Sequence, residues 1–349
     1  MKKTLFVHPN NDYTGSTKVL ADIIRKEYSH GGMKVITRDS SGFLSEIPNV
    51  KIIPVYFPLY KGQQIPFITG ITWKLHASLL VLIYALFCQT IYINTILPYY
   101  AAIIGRLYRK NIIYHIHEYF ILKNRSTKIA EYVFNNVISE RIFVSEYLKK
   151  QYIPKDTCKS WVKYNFLAES FIKNIVVKPI TERERNNIIM ISSLNKLKGI
   201  FMFISVAQEM SEYHFNLIIS QDIRTINSFI EEEIPLNKLP KNLKIVPSQA
   251  KIQPFLEKSD LLLNLTNPSL AVETFGMTIL EAMAYGIPSI VPNVGGPIEL
   301  VENGYNGYTI DVTNKDEIIS KIKNILKEDT YNIMAQNCLN QFTKKFNHQ

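Results

Sequence analysis

The sequence lacks the short signatures that mark several large enzyme classes. Its 349 residues contain no Asp-x-Asp pair for a metal-bound diphosphate, no Gly-x-x-x-x-Gly-Lys phosphate loop, no Gly-x-Gly-x-x-Gly fingerprint and no His-Glu-x-x-His zinc pattern. These absences argue against P-loop nucleotidases, dinucleotide-dependent oxidoreductases and zinc proteases. Any nucleotide chemistry is therefore expected to need no protein-bound metal.

Cysteine is scarce and long apolar runs are missing. The three cysteines, Cys88, Cys158 and Cys338, are far apart and show no metal-binding spacing, which fits a reducing cytoplasm. The longest apolar stretch, Leu79 to Phe87, is well short of the ~20 residues that span a bilayer. The apolar run at the N-terminus is too short for a signal-peptide core. We expect a cytoplasmic protein without a transmembrane helix.

The net charge of +10 is concentrated in the first half. Residues 1–170 contain 22 Lys+Arg against 11 Asp+Glu, whereas the remainder contains 18 against 19. Such a surface attracts nucleic acid, anionic lipid or a phosphorylated substrate, or is simply a solvated face. No recognition-helix or aromatic RNA-binding motif accompanies the charge, so nucleic acid is not expected as a partner.

Short runs rich in Ile, Val and Leu alternate with amphipathic segments of helix length, which predicts an α/β protein with two parallel, Rossmann-like sheets. The predicted strands are residues 4–8, 34–37, 51–55, 90–93, 111–115 and 141–144, then 187–191, 214–219, 243–246, 261–265, 288–291 and 307–310. The charged run Glu182–Arg185 suits an exposed linker, and we place the domain boundary near residue 175, giving domains 1–175 and 176–349. A helix is predicted over Thr330–His348.

Ligands of open parallel sheets bind beyond the carboxyl ends of the strands, so two such domains facing one another would enclose a central cleft. One segment has the features of a ligand site. Residues 272–288 pass from a loop containing Glu273 into a helix that begins near Gly276 and contains Glu281. The first N–H groups of that helix, at Gly276, Met277 and Thr278, would bind an anion or sugar hydroxyls, and the two carboxylates would accept hydrogen bonds from diols.

An isolated pair of glutamates would more often be a helix cap and a solvent-facing side chain. Here Glu281 is embedded among apolar residues, and the segment continues into Gly295-Gly296 and the loop Asn303–Gly307. This order resembles the donor-site signature of glycosyltransferase family 4, the retaining family of the GT-B fold, in which two glutamates are separated by seven residues. The resemblance covers about forty contiguous residues and implies the GT-B fold.

Two further segments resemble the same family. Residues 191–199 end in Lys198-Gly199, and the resemblance implies that Lys198 neutralises the donor diphosphate. Ser193 stands where the family usually has an arginine, so Lys196 or another basic group would have to compensate. In the first half, His117-Glu118 resembles the family's His-acidic pair, with His117 contacting the transferred sugar. A satisfied histidine at a strand end is the alternative for His117, and a solvated surface lysine is the alternative for Lys198.

The loop before Gly15 resembles the family's glycine loop, which approaches donor phosphates or acceptor with its backbone N–H groups. The resemblance implies transfer of a hexose from a UDP- or GDP-linked donor to an acceptor hydroxyl, with retention and without a cofactor or metal. Glu273 would bind and stabilise the sugar, and Glu281 would bind the ribose. Surface-polysaccharide synthesis, of O-antigen, capsule or exopolysaccharide, is the expected context.

Two other functions remain open on the sequence: a nucleotide-sugar epimerase of the same fold, and a non-catalytic nucleotide-sugar-binding subunit that has lost the arginine. The first domain is expected to bind the acceptor, a glycan or lipid-linked glycan. Residues 98–110 mix aromatic, aliphatic and basic side chains as interfacial helices do, which predicts peripheral contact with the anionic inner face of the plasma membrane. A sheet-covering helix with a basic end is the alternative. The terminal helix is expected to pack back on the first domain.

Overall fold

A computed structural model describes residues 3–13, 15–28, 32–55, 67–118, 125–152, 158–234, 239–247 and 251–347. The chain forms two compact units, Met1–Tyr164 and Asn165–Gln349. Within the described residues, no helix is both long and apolar enough to cross a membrane.

The first unit is a seven-stranded parallel sheet with helices between its strands. Its elements are β1 (Thr4–Val7), α1 (Gly15–Glu27), β2 (Met33–Thr37), β3 (Val50–Pro54), α2 (Phe67–Ala85), β4 (Thr90–Asn94), α3 (Tyr99–Leu107), β5 (Asn111–Ile116), α4 (Arg125–Asn136), β6 (Glu140–Phe143), α5 (Glu146–Gln151) and β7 (Lys159–Val162). The strand order is β3-β2-β1-β4-β5-β6-β7. Between β1 and β4 the order reverses direction, which in such sheets is where ligands bind.

The central strands of this sheet are apolar on both faces, because helices cover both sides. In β1, Leu5, Phe6 and Val7 are all buried, and β1 pairs with β4 in the register Leu5 to Ile91 and Val7 to Ile93. These runs have no polar alternation, so they cannot lie at a solvated face.

The second unit, Asn165–Gln349, contains a six-stranded parallel sheet. Its elements are α6 (Glu169–Ile172), β8 (Asn187–Ser192), α7 (Ile200–Glu209), β9 (His214–Ile219), α8 (Ile223–Glu233), β10 (Leu243–Val246), α9 (Gln253–Leu256), β11 (Leu261–Leu263), α10 (Met277–Ala284), β12 (Ser289–Pro292), α11 (Pro297–Leu300), β13 (Gly307–Ile310), α12 (Lys315–Ile325) and α13 (Glu328–Lys345), with 3-10 turns at Ile180–Glu182 and Lys196–Lys198. The order β10-β9-β8-β11-β12-β13 again reverses direction at its centre, between β8 and β11.

The predicted fold class, two parallel-sheet Rossmann-like domains, is confirmed. All six strands predicted for the second half are present, and so are the six predicted for the first. The sequence missed β7, because this edge strand has no apolar run. Trp161 on β7 is 48% exposed, and β7 pairs on one side with β6.

The compact units divide between Tyr164 and Asn165, ten residues before the boundary placed at 175. The reason is α6, whose Phe171 is buried with its ring 6.3 Å from that of Tyr285 in the second unit. The expectation of an exposed linker is wrong at Arg183, which is 6% exposed. Its guanidinium donates to the carbonyl oxygens of Tyr285 (2.7 Å) and Gly286 (2.8 Å), the two residues that directly follow α10.

The predicted terminal helix is α13, which begins at Glu328 and ends at Lys345, while His348 lies outside the described residues. Within its own unit α13 packs against α10 and the turn that follows it. The hydroxyl of Tyr331 on α13 accepts a hydrogen bond from the Arg183 guanidinium (2.8 Å). Arg183 and α13 together fix the C-terminal end of α10, the helix whose first turn was expected to bind the donor. Packing of α13 on the first unit stays a prediction.

Candidate functional site

The predicted donor residues Lys198 and Glu273 meet at the carboxyl edge of the second sheet. Lys198 follows β8 and Glu273 lies in the loop after β11, and these strands are neighbours at the point where the strand order reverses. The Lys198 ammonium donates to Glu273 Oε2 at 2.7 Å, and the two side chains are 31% and 21% exposed. The pair is thus accessible to a ligand and lies where the fold predicts one.

Gly199 explains how Lys198 reaches this position. Its φ of +81° is in the left-handed region, and a Cβ there would lie 2.1 Å from the carbonyl oxygen of Leu265, just beyond β11. The backbone N–H of Asn267 also donates to the carbonyl of Leu197 (2.9 Å). Only glycine lets the turn after β8 lie this close to the chain after β11, and that contact brings Lys198 beside Glu273.

The Gly295-Gly296 turn holds the Glu273 loop from its other side. The backbone N–H of Gly296 donates to the carbonyl of Glu273 (2.8 Å). A Cβ on Gly296 would lie 2.2 Å from the carbonyl oxygen of Thr274, so no side chain fits there. The sequence identified these glycines only as part of the family pattern. Their physical role is to let two loops touch backbone to backbone and so fix Glu273.

The helix α10 begins where it was expected. Gly276 is its N-cap with φ +106°, and Met277 and Thr278 form its first turn and are partly exposed. The N–H groups of a first helical turn have no partner within the helix and carry its positive dipole end. Glu281, one turn further on, is 3% exposed, so the alternative of a solvent-facing Glu281 is wrong.

Ser193 and Lys196 occupy the turn between β8 and Lys198. The carbonyl of Ser193 accepts hydrogen bonds from the N–H of Asn195 (2.8 Å) and the hydroxyl of Ser192 (2.9 Å). The Lys196 ammonium pairs with Glu233 Oε2 at the end of α8 (2.6 Å). Compensation by Lys196 for the arginine replaced at Ser193 would require this ion pair to open.

In the first unit, His117 directly follows β5 and is 9% exposed. Its Nε2 lies 2.8 Å from Asn94 Oδ1, at the end of the neighbouring strand β4. Asn94 Nδ2 is within hydrogen-bond distance of His8 Nδ1 (3.1 Å), after β1, and of the carbonyl of Ser16 (3.2 Å). One amide therefore connects the carboxyl ends of three strands with the start of α1.

The network continues from His8 and fixes the tautomers. His8 Nε2 is 3.0 Å from Thr17 Oγ1, which donates its proton to Asp12 Oδ1 at 2.7 Å. With the single proton of the Thr17 hydroxyl donated to Asp12, His8 Nε2 is the donor to Thr17 and His8 Nδ1 the acceptor from Asn94. In the other tautomer His8 Nδ1 would donate to the Asn94 carbonyl, which lies 3.3 Å away. Asn94 Oδ1 then accepts from His117 Nε2–H, which leaves the proton of His117 on Nε2 and none on Nδ1.

Burial shapes the titration of these groups. It lowers the pKa of His117 to about 3, with the positive charge of His8 as the second cause, and it lowers the pKa of His8 to about 4. Burial raises the pKa of Glu118 to about 7, although the N–H of Ile96, which donates to Glu118 Oε2 (3.3 Å), acts in the opposite direction. At neutral pH the histidines are uncharged, and Glu118 is close to its midpoint.

Gly15 is the exposed first residue of α1, and a Cβ there would meet nothing within 4 Å. The protein itself therefore does not require glycine at this position, and donor contact by Gly15 stays a prediction. Sequence reasoning missed His8 and Asn94. The available signal was that each polar residue ends or directly follows one of the two strands at the reversal of strand order.

Metal ligands are not clustered in the part of the chain that the structure describes: no group of three or more His, Cys, Asp or Glu residues there is arranged to hold an ion. Among the predicted site residues, Lys198 meets Glu273 in the second unit, and His117 joins Asn94 and His8 in the first.

The chain is similar to known proteins in both sequence and fold. Residues 172–344 match the family model described as Glycosyl transferases group 1. A sucrose synthase from Melioribacter roseus is 26% identical over 208 residues, which cover 55% of this chain and 26% of that protein. The UDP-Gal:alpha-D-GlcNAc-diphosphoundecaprenol alpha-1,3-galactosyltransferase of Escherichia coli is 33% identical over 109 residues, 31% of this chain and 27% of the relative. These alignments thus span about a quarter of each curated relative.

Among solved structures, HepE from Anabaena, in complex with UDP and glucose, is similar with a TM-score of 0.80 and 20% sequence identity, covering 99% of this chain and 96% of that one. At this identity the likeness shows the fold, which is the GT-B fold with two Rossmann-like domains. From the family match over residues 172–344 and this fold, the chain belongs to the group 1 glycosyltransferases.

Proposed function

We propose that the protein transfers a hexose from a UDP-linked sugar to an acceptor hydroxyl with retention at the anomeric carbon. The observation that carries the proposal is the ion pair of Lys198 with Glu273 at the reversal of strand order in the second sheet (2.7 Å). UDP is preferred to GDP because the similar HepE structure contains UDP and the E. coli relative is named for UDP-Gal.

In this proposal the donor diphosphate binds Lys198 and the first-turn N–H groups of α10, at Met277 and Thr278. Charge accumulates on the diphosphate as the glycosidic bond breaks, and a cation and a helix N-terminus positioned in advance stabilise it. Glu281 would accept hydrogen bonds from the ribose hydroxyls, and its 3% exposure means that it does so from a largely enclosed position. We propose that these groups make a metal unnecessary.

Glu273 is proposed to bind the hydroxyls of the transferred sugar. In a retaining glycosidase a carboxylate attacks the anomeric carbon, but Glu273 is held by the Lys198 ammonium and by the Gly296 N–H to its carbonyl. We propose same-face attack instead. The acceptor oxygen bonds to the anomeric carbon, the bond from that carbon to the leaving phosphate oxygen breaks, and that phosphate oxygen takes the hydroxyl proton.

The first unit is proposed to bind the acceptor and to supply His117, which would contact the transferred sugar. His117 suits this role because it is neutral at physiological pH and its tautomer is fixed by Asn94. A neutral imidazole can hydrogen-bond to a sugar hydroxyl without placing a positive charge beside the anomeric carbon. Gly15, at the start of α1, is proposed to allow close approach of a phosphate or of the acceptor.

We propose a lipid-diphosphate-linked glycan as the acceptor and surface-polysaccharide synthesis as the context. The E. coli relative is named for a diphosphoundecaprenol-linked acceptor. An acceptor of this kind is anchored in a membrane by its lipid. Residues 98–110 form α3 and its ends, where Arg106 and Leu107 are exposed. This segment is proposed to contact the anionic inner membrane face peripherally.

The test begins with thermal shifts by UDP, GDP and a panel of UDP-sugars, because a bound donor raises the melting midpoint by mass action. The stabilising donor is then incubated with lipid-linked glycan acceptors, with and without EDTA, and followed by proton NMR. We expect a product of retained configuration in both conditions. Epimerised donor without an acceptor would indicate an epimerase, and tight binding without turnover on any acceptor would indicate a binding subunit; either outcome overturns the proposal.

A further inference from the structure

Helix α2 (Phe67–Ala85) is apolar on two opposite faces. One face packs against the rest of the first unit. It carries Ala77, Val81 and Ala85, which are four residues apart and 0% exposed. A globular helix of this length normally has a polar outer face. The outer face of α2 departs from that rule.

A row of large aliphatic and aromatic side chains runs along the outer face of α2 and into the turn that follows its last residue, Ala85. Their exposed fractions are 65% for Leu75, 55% for Leu79, 46% for Ile83, 59% for Leu86 and 62% for Phe87. We call these five residues the α2 row. At about 1.5 Å of rise per residue the helical part of the row, from Leu75 to Ile83, is roughly 12 Å long. Single exposed apolar residues are ordinary, but a contiguous exposed apolar patch marks an interaction surface.

Cations flank the row at both ends. The Lys74 ammonium, next to Leu75, lies 5.7 Å from the ring centroid of Tyr99. At the other end, the Lys34 ammonium lies 4.7 Å from the ring centroid of Tyr84 and 5.9 Å from that of Phe87. These lysines are placed to contact anions at the border of the apolar row.

The neighbouring helix α3 also exposes apolar side chains next to a cation. It packs against α2 and exposes Ile103 (39%) and Leu107 (72%), with Arg106 also exposed between them. Over residues 47–117 the sequence has six Lys+Arg and no Asp or Glu. The stretch of chain that builds this surface is therefore cationic without any acidic side chain of its own.

We infer that the α2 row inserts among the acyl chains of an anionic lipid membrane while Lys34, Lys74 and Arg106 contact its headgroups. The charge argues for this partner. A second copy of the chain seated on the same face would bring like charges together, whereas anionic headgroups complement them. The apolar row supplies the burial that cations alone do not, as in helices that lie in the interfacial plane.

The inference deepens the membrane contact proposed above and assigns it to α2 as the main docking element, with α3 as a second contact. It brings the first unit, proposed to bind the acceptor, to the surface where a lipid-linked glycan is presented. Binding to vesicles needs neither donor nor acceptor, so it is measurable whether or not the proposed transfer is correct.

The experiment is co-sedimentation of the full chain with vesicles of phosphatidylcholine, with and without phosphatidylglycerol. We expect binding to the anionic vesicles at low salt, weaker binding at high salt and little binding to phosphatidylcholine alone. The double variant Leu79→Glu/Ile83→Glu should lower the partition coefficient at least about tenfold. Both positions are solvent-exposed, so circular dichroism should show an unchanged fold.

Ile333→Glu is the matched control, because Ile333 is 63% exposed on a helix, α13, of the other unit. It should bind vesicles like the unaltered protein. Equal vesicle binding by the double variant, or no binding of the unaltered protein to anionic vesicles, overturns the inference. A vesicle-free dimer that the double variant dissociates on size exclusion also overturns it, in favour of a protein interface. Donor binding is measured separately, by the thermal shift that the donor induces in the double variant. A shift that persists shows that failure of the membrane inference leaves the proposed function standing.

Discussion

The Lys198 ammonium and Glu273 Oε2 lie 2.7 Å apart, although 75 residues separate them in sequence. Their strands, β8 and β11, are neighbours at the reversal of strand order. A partly exposed ion pair of this kind contributes only about 0–1 kcal/mol to stability. In the proposed function the pair matters for its position, because a donor diphosphate bound to Lys198 would place the transferred sugar beside Glu273.

The first prediction concerns Glu273. Replacing it by Gln keeps the shape of the side chain, removes the charge and exchanges one accepting oxygen for a donating NH2 group. We expect kcat/KM for glycosyl transfer to fall about 100-fold, since one preorganised electrostatic contact to a transition state is worth about that much. The melting midpoint should change little, because the ion pair is partly exposed. Initial rates by NMR or by UDP release, with thermal melts alongside, measure both quantities.

Lys315→Ala is the control for this experiment. Lys315, the first residue of α12 in the same unit, also forms a partly exposed ion pair, with Glu209. It should retain kcat/KM within about twofold, because loss of a surface pair costs little. A rate loss in Lys315→Ala equal to that in Glu273→Gln would mean that any altered charge in this unit disturbs the enzyme, and the assignment of Glu273 would fail.

The second prediction concerns Gly296. A Cβ at this position would lie 2.2 Å from the backbone oxygen of Thr274, so Gly296→Ala must push the Glu273 loop away. We expect a loss of about 1–3 kcal/mol in the free energy of unfolding together with a fall in kcat. Gly32→Ala is the control, because a Cβ there meets nothing within 4 Å. Equal denaturation midpoints for the two variants would contradict the proposed close packing of the loops.

The strands were predictable because parallel strands covered on both faces are continuous apolar runs, such as Leu261–Leu263. Edge strand β7 has no such run and was missed. The boundary was placed late because α6 shows no sign in sequence of packing against Tyr285. Arg183 was misjudged for a similar reason. An arginine in a charged run gives no indication that its guanidinium will donate hydrogen bonds to the carbonyls that follow a distant helix, α10.

The candidate site was predictable where its residues form linear motifs. Glu273, Gly276 and Glu281 lie within one loop and one helix, and local geometry decides their placement. His8 and Asn94 are 86 residues apart and meet only because β1 and β4 pair. Such contacts follow from strand order, which the alternation of strands and helices does not specify. The role of Gly199 could not be predicted for the same reason. Its close contact with Leu265 joins two loops that follow different strands.

The third prediction concerns Asn94 as a positioning residue for His117. Asn94→Asp is nearly isosteric but places a carboxylate between His117 and His8. An adjacent negative charge favours the protonated imidazole, and we expect the pKa values of both histidines to rise by about 1–3 units. The measurement is a pH titration of ring carbon signals by NMR in protein labelled at histidine. The lower pH limit of activity should move upwards with the His117 titration.

Asn136→Asp tests whether any added carboxylate produces this effect. Asn136 is on α4, where its side chain amide donates to the carbonyl of Tyr132 (2.7 Å) at an exposed position. The histidine titrations of this variant should match those of the unaltered protein. If Asn94→Asp also leaves them unchanged, the hydrogen-bond network around His117 does not exist in solution.

The last prediction is the pH dependence of stability in the first unit, which two opposing effects determine. His8 and His117 have pKa values lowered from 6.5 to about 4 and about 3, so the unfolded chain binds more protons below pH 6.5. The stability that these two uncharged histidines contribute is therefore fully present above pH 6.5 and is lost as the pH falls. His115, whose pKa burial also lowers, acts in the same direction.

Glu118 acts oppositely. Its pKa is raised from 4.5 to about 7, so between these values the folded protein keeps a proton that the unfolded chain releases, and stability is lost as the pH rises. Glu118→Gln removes this loss and keeps an acceptor for the Ile96 N–H. We therefore expect the free energy of unfolding of the variant to rise with pH more steeply than that of the unaltered protein, by about 1 kcal/mol per pH unit between about pH 5 and 6.5. Denaturant titrations followed by tryptophan fluorescence measure the two slopes, because both tryptophans of the chain, Trp73 and Trp161, are in the first unit. Parallel slopes would mean that Glu118 is ionised in the folded protein throughout this range, as a carboxylate in contact with water is.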